Sequence, residues 1–168
     1  IYATDELWEA DLQKAKELIP TVSAFAGTLG QSAQALLDYM KLTEEISVLA
    51  DALGNYAMRR SDEDARVSKY QAMVGRLMST YVALNAASSF STPEIMAISD
   101  ETMEKFYAEQ PALERYRWYL HNIRRRRAHV LTPAEEKLLA AAGEMANAPD
   151  TIYGMFSDAD VTFPDAID

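Results

Sequence analysis

Apolar side chains recur every three or four residues through the first 90 residues, and this spacing limits the fold more than any other feature. Such a period places them on one face of an α-helix, whereas a half-buried strand would alternate at every second residue. The three stripes are Trp8, Leu12, Ala15, Ile19, Val22, Ala26 and Leu29; Tyr39, Leu42, Ile46, Leu49, Leu53 and Tyr56; and Tyr70, Val74, Leu77, Tyr81 and Leu84. We therefore predict a bundle of three long helices over residues 1–90, and their short connections favour antiparallel neighbours.

The ends of the long helices carry recognisable signals. The first helix is predicted to begin near Asp5 with Thr4 as its N-cap, and to kink at Pro20. Glycines at 27 and 30 are predicted to end it. Ser32 is predicted to cap the second helix, a polar turn at residues 61–64 to follow it, and the third helix to end near residue 88.

Residues 91–158 are predicted to form shorter helices of the same lobe. Proline next to a capping residue marks several of their starts, because a helix's first turn does not use the missing N–H. The predicted starts are Thr92-Pro93, Ser99, Pro111, Thr132-Pro133 and Ala148-Pro149. Polar residues then alternate with β-branched and aromatic ones, which predicts an extended link at residues 159–168. The predicted fold is all-α: an antiparallel bundle of long helices, then shorter helices, then a short extended segment.

The composition disfavours several classes of protein. The 168 residues carry a net charge of −10, so their overall field repels nucleic acids and anionic membranes. No apolar run approaches the roughly 20 residues that span a bilayer. The chain has no cysteine, which excludes disulfides and thiolate nucleophiles. We expect neither a nucleic-acid nor a membrane partner.

One local run of positive charge, Arg124, Arg125, Arg126 and Arg127, opposes this balance. Guanidinium groups bind phosphates and carboxylates bidentately, so the run is a weak candidate contact for an anion. Cations at the end of a helix also complement the helix dipole and pair with nearby acids. In an acidic chain we favour this second interpretation.

No spacing in the sequence matches a catalytic or metal site. Zinc peptidase chemistry needs two histidines one helical turn apart and a glutamate beside the first. His121 and His129 are eight residues apart, and neither has an adjacent glutamate. The acidic pair Glu44-Glu45 and the acids at 62–64 are ordinary surface charge in such a chain. We assign no catalytic, cofactor-binding or metal-binding residue.

Several short phrases occur in a recognisable order along the chain. They are Tyr-Ala-Thr-Asp-Glu-Leu-Trp at 2–8, Leu-Ile-Pro at 18–20, Gly-Thr-Leu-Gly at 27–30, the stretches 56–64, 116–120 and 129–136, and Asp-Ala-Asp-Val-Thr-Phe-Pro at 158–164. Together they resemble the N-terminal helical lobe of the oligoendopeptidase F family of zinc metallopeptidases.

The resemblance implies a cytoplasmic, zinc-dependent hydrolase of short peptides, in which this lobe forms one wall of a channel toward the metal. The family's His-Glu-x-Gly-His motif would lie beyond Asp168, so the implied role is substrate access and packing, without activity or cofactor in this chain. The implied partners are the C-terminal catalytic lobe of the same polypeptide and the oligopeptide substrate. Tyr153, Phe156, Val161 and Phe163 are the residues predicted to contact that lobe.

Two other hypotheses remain open. The chain could be a free-standing helical interaction module that binds partner helices, or itself, through its apolar stripes. It could also bind nucleic acid or a phosphopeptide through the arginine run, which ranks last because of the net charge.

Overall fold

The computed structural model describes residues 2–64 and 66–129, together with Pro149, Ile152, Tyr153 and Phe156. The chain divides into two compact units, residues 1–127 and 128–168. The helices are α1 (Asp5–Ser23), α2 (Ala33–Glu63), α3 (Ser68–Ser88), α4 (Ser91–Ala97), α5 (Asp100–Glu109) and α6 (Arg117–Arg124), with 3₁₀ helices at Pro111–Tyr116 and Arg125–His129. Within the described residues there is no strand, and the predicted all-α class is confirmed.

The three long helices pack as consecutive antiparallel neighbours, as predicted. The start of α1 lies against the second half of α2, where the Trp8 indole Nε1 donates to the Leu53 carbonyl at 2.9 Å. The Tyr81 hydroxyl of α3 donates to the Ala50 carbonyl of α2 at 2.5 Å. Short connections bring the helices back on one another, so each stripe finds an apolar partner.

Two hydrophobic cores fill the first unit, and α2 contributes to both. One lies within the three long helices and includes Trp8, Leu53 and Leu77. The other joins the first half of α2 to the shorter helices and includes Leu36 and Leu120. All five of these side chains are at most 1% exposed. Because the 31-residue α2 runs through both cores, it connects the long-helix bundle to the shorter helices.

The end of α1 differs from the prediction. The helix stops at Ser23 instead of Gly27, and successive turns follow in which Phe25 N–H donates to Val22 and Thr28 N–H donates to Phe25. The turns return the chain to the core at Leu29, which is fully buried, so the apolar spacing continues without a helix. Spacing alone does not distinguish these two cases.

The other predicted helix ends agree with the structure only in part. Ser32 and Ser99 are N-caps whose hydroxyls each accept a backbone N–H at 3.1 Å, as predicted. The prediction of a polar turn at 61–64 was wrong, because α2 continues to Glu63. The Glu63 carboxylate pairs with Arg60 of the same helix at 2.8 Å. The last turn of a helix tolerates polar residues because it is solvated on most sides.

The later helix starts also needed correction. Phe90, not Thr92, occupies the N-cap of α4, so Pro93 lies within the first turn, where proline loses no helical hydrogen bond. Pro111 begins a 3₁₀ helix, and α6 follows only at Arg117. The helix start predicted at 132–133 and the extended link at 159–168 lie outside the described residues.

The Asp5 carboxylate connects all three long helices. Its Oδ1 accepts from the Tyr56 hydroxyl of α2 at 2.6 Å, and its Oδ2 lies 2.5 Å from Lys69 Nζ of α3. The hydrogen bonds from Lys69 and then Tyr56 hold the pKa of Asp5 below its ordinary value. The stabilisation is therefore present above the ordinary carboxyl pKa and is lost as pH falls through the lowered value.

We expect Asp5→Asn to lower the free energy of unfolding by about 1–3 kcal/mol at pH 7, because two charge-assisted contacts are lost. The difference from the parent chain should begin to shrink near the ordinary carboxyl pKa and should be lost as pH falls through the lowered pKa of Asp5. Urea unfolding at several pH values measures this. Asp62→Asn, at an exposed position of α2, is the matched control. A difference that stays constant down to pH 2 would contradict the role of Asp5.

The loop after α1 needs a glycine at position 27. Its φ is +80°, in the left-handed region, whereas Gly75 lies inside α3 with open space where a Cβ would be placed. We expect Gly27→Ala to destabilise the chain by about 1–2 kcal/mol. Gly75→Ala should instead stabilise it by about 0.5–1 kcal/mol. Denaturant midpoints of the two variants test this, and shifts of the same sign would contradict the loop conformation.

Candidate functional site

A cleft of about 400 Å³ lies where α5, α6 and the 3₁₀ helix between them meet. We call it the Trp118 cleft, and its lining residues are Glu104, Tyr107, Glu114, Arg117, Trp118, His121 and Arg124. The 3₁₀ helix turns the chain back between α5 and α6, and Leu113 within it is fully buried. This anchor places charged and aromatic side chains from three elements around one space.

Arg117 lies at the centre of the polar contacts in the cleft. Its Nη1 donates to Glu104 Oε1 at 2.9 Å, while its Nε and Nη2 donate to the two oxygens of Glu114 at 2.7 Å each. The guanidinium carbon lies 3.8 Å from the centre of the Tyr107 ring. The hydrogen bonds that Arg117 donates to Glu114, and then those to Glu104, raise the pKa of Arg117, and the bonds to Glu114 also lower the pKa of Glu114.

An exposed aromatic surface borders the same cleft. Trp118 is 72% exposed, and its ring is stacked on His121 with the ring centres 6.1 Å apart and the planes at 24°. The two residues are three apart on α6, which places their side chains on the same face of the helix. Tyr119, the next residue, is 55% exposed. A large exposed indole is a common anchor for a binding partner.

The arginine run begins at the edge of this cleft. Arg124 ends α6, and its Nη2 donates to the Ile98 carbonyl at 3.1 Å and pairs with Asp100. Arg127 Nη2 donates to the same carbonyl at 2.6 Å. Two of the four arginines thus contact the junction between α4 and α5, while Arg125 and Arg126 are exposed. The anion contact of the run stays a prediction.

The acidic pair noted in the sequence forms links between helices. Glu44 accepts hydrogen bonds from Arg115 and, at 2.7 Å, from the Tyr116 hydroxyl. Glu45 pairs with Lys14 at 2.8 Å. Both glutamates therefore tie α2 to other helices. No chemistry is indicated by these contacts.

Of the residues predicted to contact a second lobe, Tyr153 and Phe156 are 71% and 58% exposed. Val161 and Phe163 lie outside the described residues. Among the residues that the structure describes, no three His, Cys, Asp or Glu side chains come close enough together to hold a metal ion. Within the same described residues, no helix combines the length and apolarity needed to cross a membrane.

The Trp118 cleft is not evident from the sequence. Its acids and aromatics come from α5, the 3₁₀ helix and α6, and each is unremarkable in its own element. One signal was available: Glu114 and Arg117 are three residues apart, a spacing at which opposite charges meet on a helix. The second carboxylate, Glu104, is thirteen residues from Arg117 and requires the chain reversal at Pro111–Tyr116.

Known proteins with related sequences are peptidases. The family model Peptidase_M3_N, described as Oligopeptidase F, matches residues 94–163. Oligopeptidase PepF of Bacillus subtilis is 32% identical over 98% of this chain and 24% of its own length. The plasmid-encoded oligoendopeptidase F of Lactococcus lactis subsp. cremoris is 35% identical over 98% of this chain and 28% of its own length.

Solved structures agree with these sequence matches. Oligoendopeptidase F of Enterococcus faecium superposes with a TM-score of 0.69 and 30% identity, covering 96% of this chain and 32% of that one. A Chlamydophila abortus protein superposes with a TM-score of 0.80 and 26% identity, covering 99% of this chain and 28% of that one. The chain spans about a quarter of the curated relatives it matches. The resemblance noted in the sequence is confirmed: by sequence and by fold, this chain corresponds to the N-terminal region of an oligoendopeptidase F-like peptidase.

Proposed function

We propose that this chain serves as the substrate-access and packing lobe of a zinc-dependent oligoendopeptidase, and that it is inactive without a catalytic lobe. The observation that carries the proposal is the unequal coverage. Matches extend over 98% of this chain but only 24–28% of oligopeptidase relatives. Most of the length of such an enzyme therefore lies outside the matched region, and zinc and the catalytic residues are assigned there. We infer a cytoplasmic enzyme acting on short peptides.

Exposed apolar side chains support the packing role. Tyr153 and Phe156 are 71% and 58% exposed. Large exposed apolar surface in a protein commonly marks an interface. The C-terminal catalytic lobe of the same polypeptide is the proposed partner, and Val161 and Phe163 belong to the same proposed contact.

Peptide hydrolysis by the purified 168-residue chain tests the proposal. With equimolar zinc and a fluorogenic oligopeptide, we expect no turnover above buffer and no zinc retained after dialysis, because the ligands and the general base are assigned elsewhere. A polypeptide extended to the length of the relatives is the positive control and should cleave the same peptide. Zinc-dependent turnover by the short chain would overturn the proposal.

The same exposed aromatics would also suit a free-standing interaction module. That alternative predicts a stable dimer, or a stable complex with an unrelated helical protein, while a catalytic lobe supplied separately fails to bind. Analytical ultracentrifugation of the chain alone and with the catalytic lobe separates the two functions. Binding of the lobe at micromolar concentration supports the packing role.

A further inference from the structure

We propose that the Trp118 cleft binds a cationic side chain of a short peptide, with an arginine guanidinium as the preferred group. The inference depends on the cleft alone and does not require that the chain serve a peptidase, because binding is measured directly on this chain.

The first argument is that the carboxylates at the cleft are more exposed to solvent than the guanidinium groups they pair with. The guanidinium of Arg124 is turned inward, with its side chain 13% exposed, while its partner Asp100 is 90% exposed. The carboxylates paired with Arg117 also face solvent more than it does: Glu104 is 66% and Glu114 51% exposed, against 42% for Arg117. A ligand approaching this surface therefore meets carboxylate oxygens before it meets guanidinium groups.

The second argument is the local charge balance. Glu104 and Glu114 share the single positive charge of Arg117, which leaves one uncompensated negative charge at that end of the cleft. Arg124 also lines the cleft, but it is paired with Asp100, so its positive charge is already compensated.

The third argument is the aromatic surface. Tryptophan is the aromatic side chain that attracts cations best, and a guanidinium also stacks flat on it. Trp118 is largely exposed, and its stacking on His121 restrains the ring. The cleft already contains one arrangement of this kind, because Arg117 lies on the Tyr107 ring while donating to two carboxylates. A ligand guanidinium could form the same kind of arrangement by stacking on Trp118 and donating hydrogen bonds to the carboxylate lone pairs that Arg117 does not use.

The two tryptophans of the chain provide a direct measurement. Trp8 is fully buried and Trp118 is exposed, so their indole N–H signals in a ¹⁵N NMR spectrum report separately on the core and on the cleft. The probe is acetyl-Ala-Arg-Ala-amide, which has one positive charge and neutral ends. We expect a shift of the Trp118 signal that saturates below about 10 mM peptide, while the Trp8 signal does not move.

Four comparison ligands identify the chemistry. Replacing arginine by citrulline, which keeps the shape but removes the charge, should weaken binding at least about tenfold. Acetyl-arginine amide, which also has one positive charge, should bind about as well as the tripeptide because the side chain carries the recognition. The corresponding lysine tripeptide should bind more weakly, because an ammonium group cannot stack flat on the indole. Equal binding of the citrulline peptide, or stronger binding of acetyl-Ala-Glu-Ala-amide, would overturn the proposal.

Variants of the chain complete the test. Glu104→Gln, followed by the Trp118 signal, and Trp118→Ala, followed by the backbone amide signals of α6, should each weaken binding of the arginine peptide by about fivefold or more. Glu109→Gln removes the same charge from an exposed position of α5, where Glu109 pairs with Lys105, and it should leave binding unchanged. An equal loss in Glu104→Gln and Glu109→Gln would show attraction to the net charge instead of a site, and would also overturn the proposal.

Discussion

Trp8→Ala is expected to lower the free energy of unfolding by about 3–5 kcal/mol, the range for removing a fully buried tryptophan from a core. The side chain is completely buried between α1, α2 and α3, and its Nε1–H donates to the Leu53 carbonyl. The substitution removes this hydrogen bond and leaves a cavity where the long helices meet. Since native domains have about 5–15 kcal/mol of stability, the variant should lose a large fraction of it and unfold at a clearly lower urea concentration.

Trp118→Ala is the matched control because it removes the same side chain from a position that is 72% exposed. It should change the free energy of unfolding by less than about 1 kcal/mol, as surface substitutions usually do. Urea unfolding followed by circular dichroism measures both variants without depending on tryptophan fluorescence. Comparable losses in the two variants would contradict the packing of Trp8.

Leu120→Ala should cost about 2–5 kcal/mol, because this α6 side chain is fully buried in the core shared with α2. The same variant also tests whether the two cores unfold together. The single helix α2 passes through both cores, so a defect in one core should destabilise the other, and unfolding of the variant should remain one cooperative transition.

Tyr119→Ala, at the adjacent exposed position, is the control for Leu120→Ala and should change stability by less than about 1 kcal/mol. Hydrogen exchange of α3 amides provides the second measurement. The amides near Met73 and Leu77 of α3 are expected to exchange faster in Leu120→Ala, since both of these side chains are buried in the other core. Two separate unfolding transitions, with α3 protected as in the parent chain, would contradict coupling through α2.

The helical stripes were predictable because burial on one face repeats with the period of the helix. Trp8, Leu12 and Leu53 lie in the core as their spacing indicates. Ala26 shows the limit of the method, because it continues the stripe but is exposed in the turns after α1. A small residue satisfies an apolar pattern without requiring burial, so it carries little information about where a helix ends.

The candidate site was much less predictable than the fold. Ion pairs between distant segments, such as Arg117 with Glu104, depend on where the chain reverses, and a charged residue in a single sequence has many possible partners. The arginine run was correctly placed at a helix end, since α6 ends at Arg124. Its contact with the Ile98 carbonyl was not foreseen, because only the fold brings the end of α4 to the end of α6.

The central claim is that this chain works as one lobe of a larger peptidase. Reading the gene downstream of the codon for Asp168 tests that claim most directly. We predict an open frame that continues into a His-Glu-x-Gly-His sequence on a helix, the arrangement that binds zinc and activates water. A stop codon immediately after position 168 would contradict it and leave a free-standing helical module as the remaining interpretation.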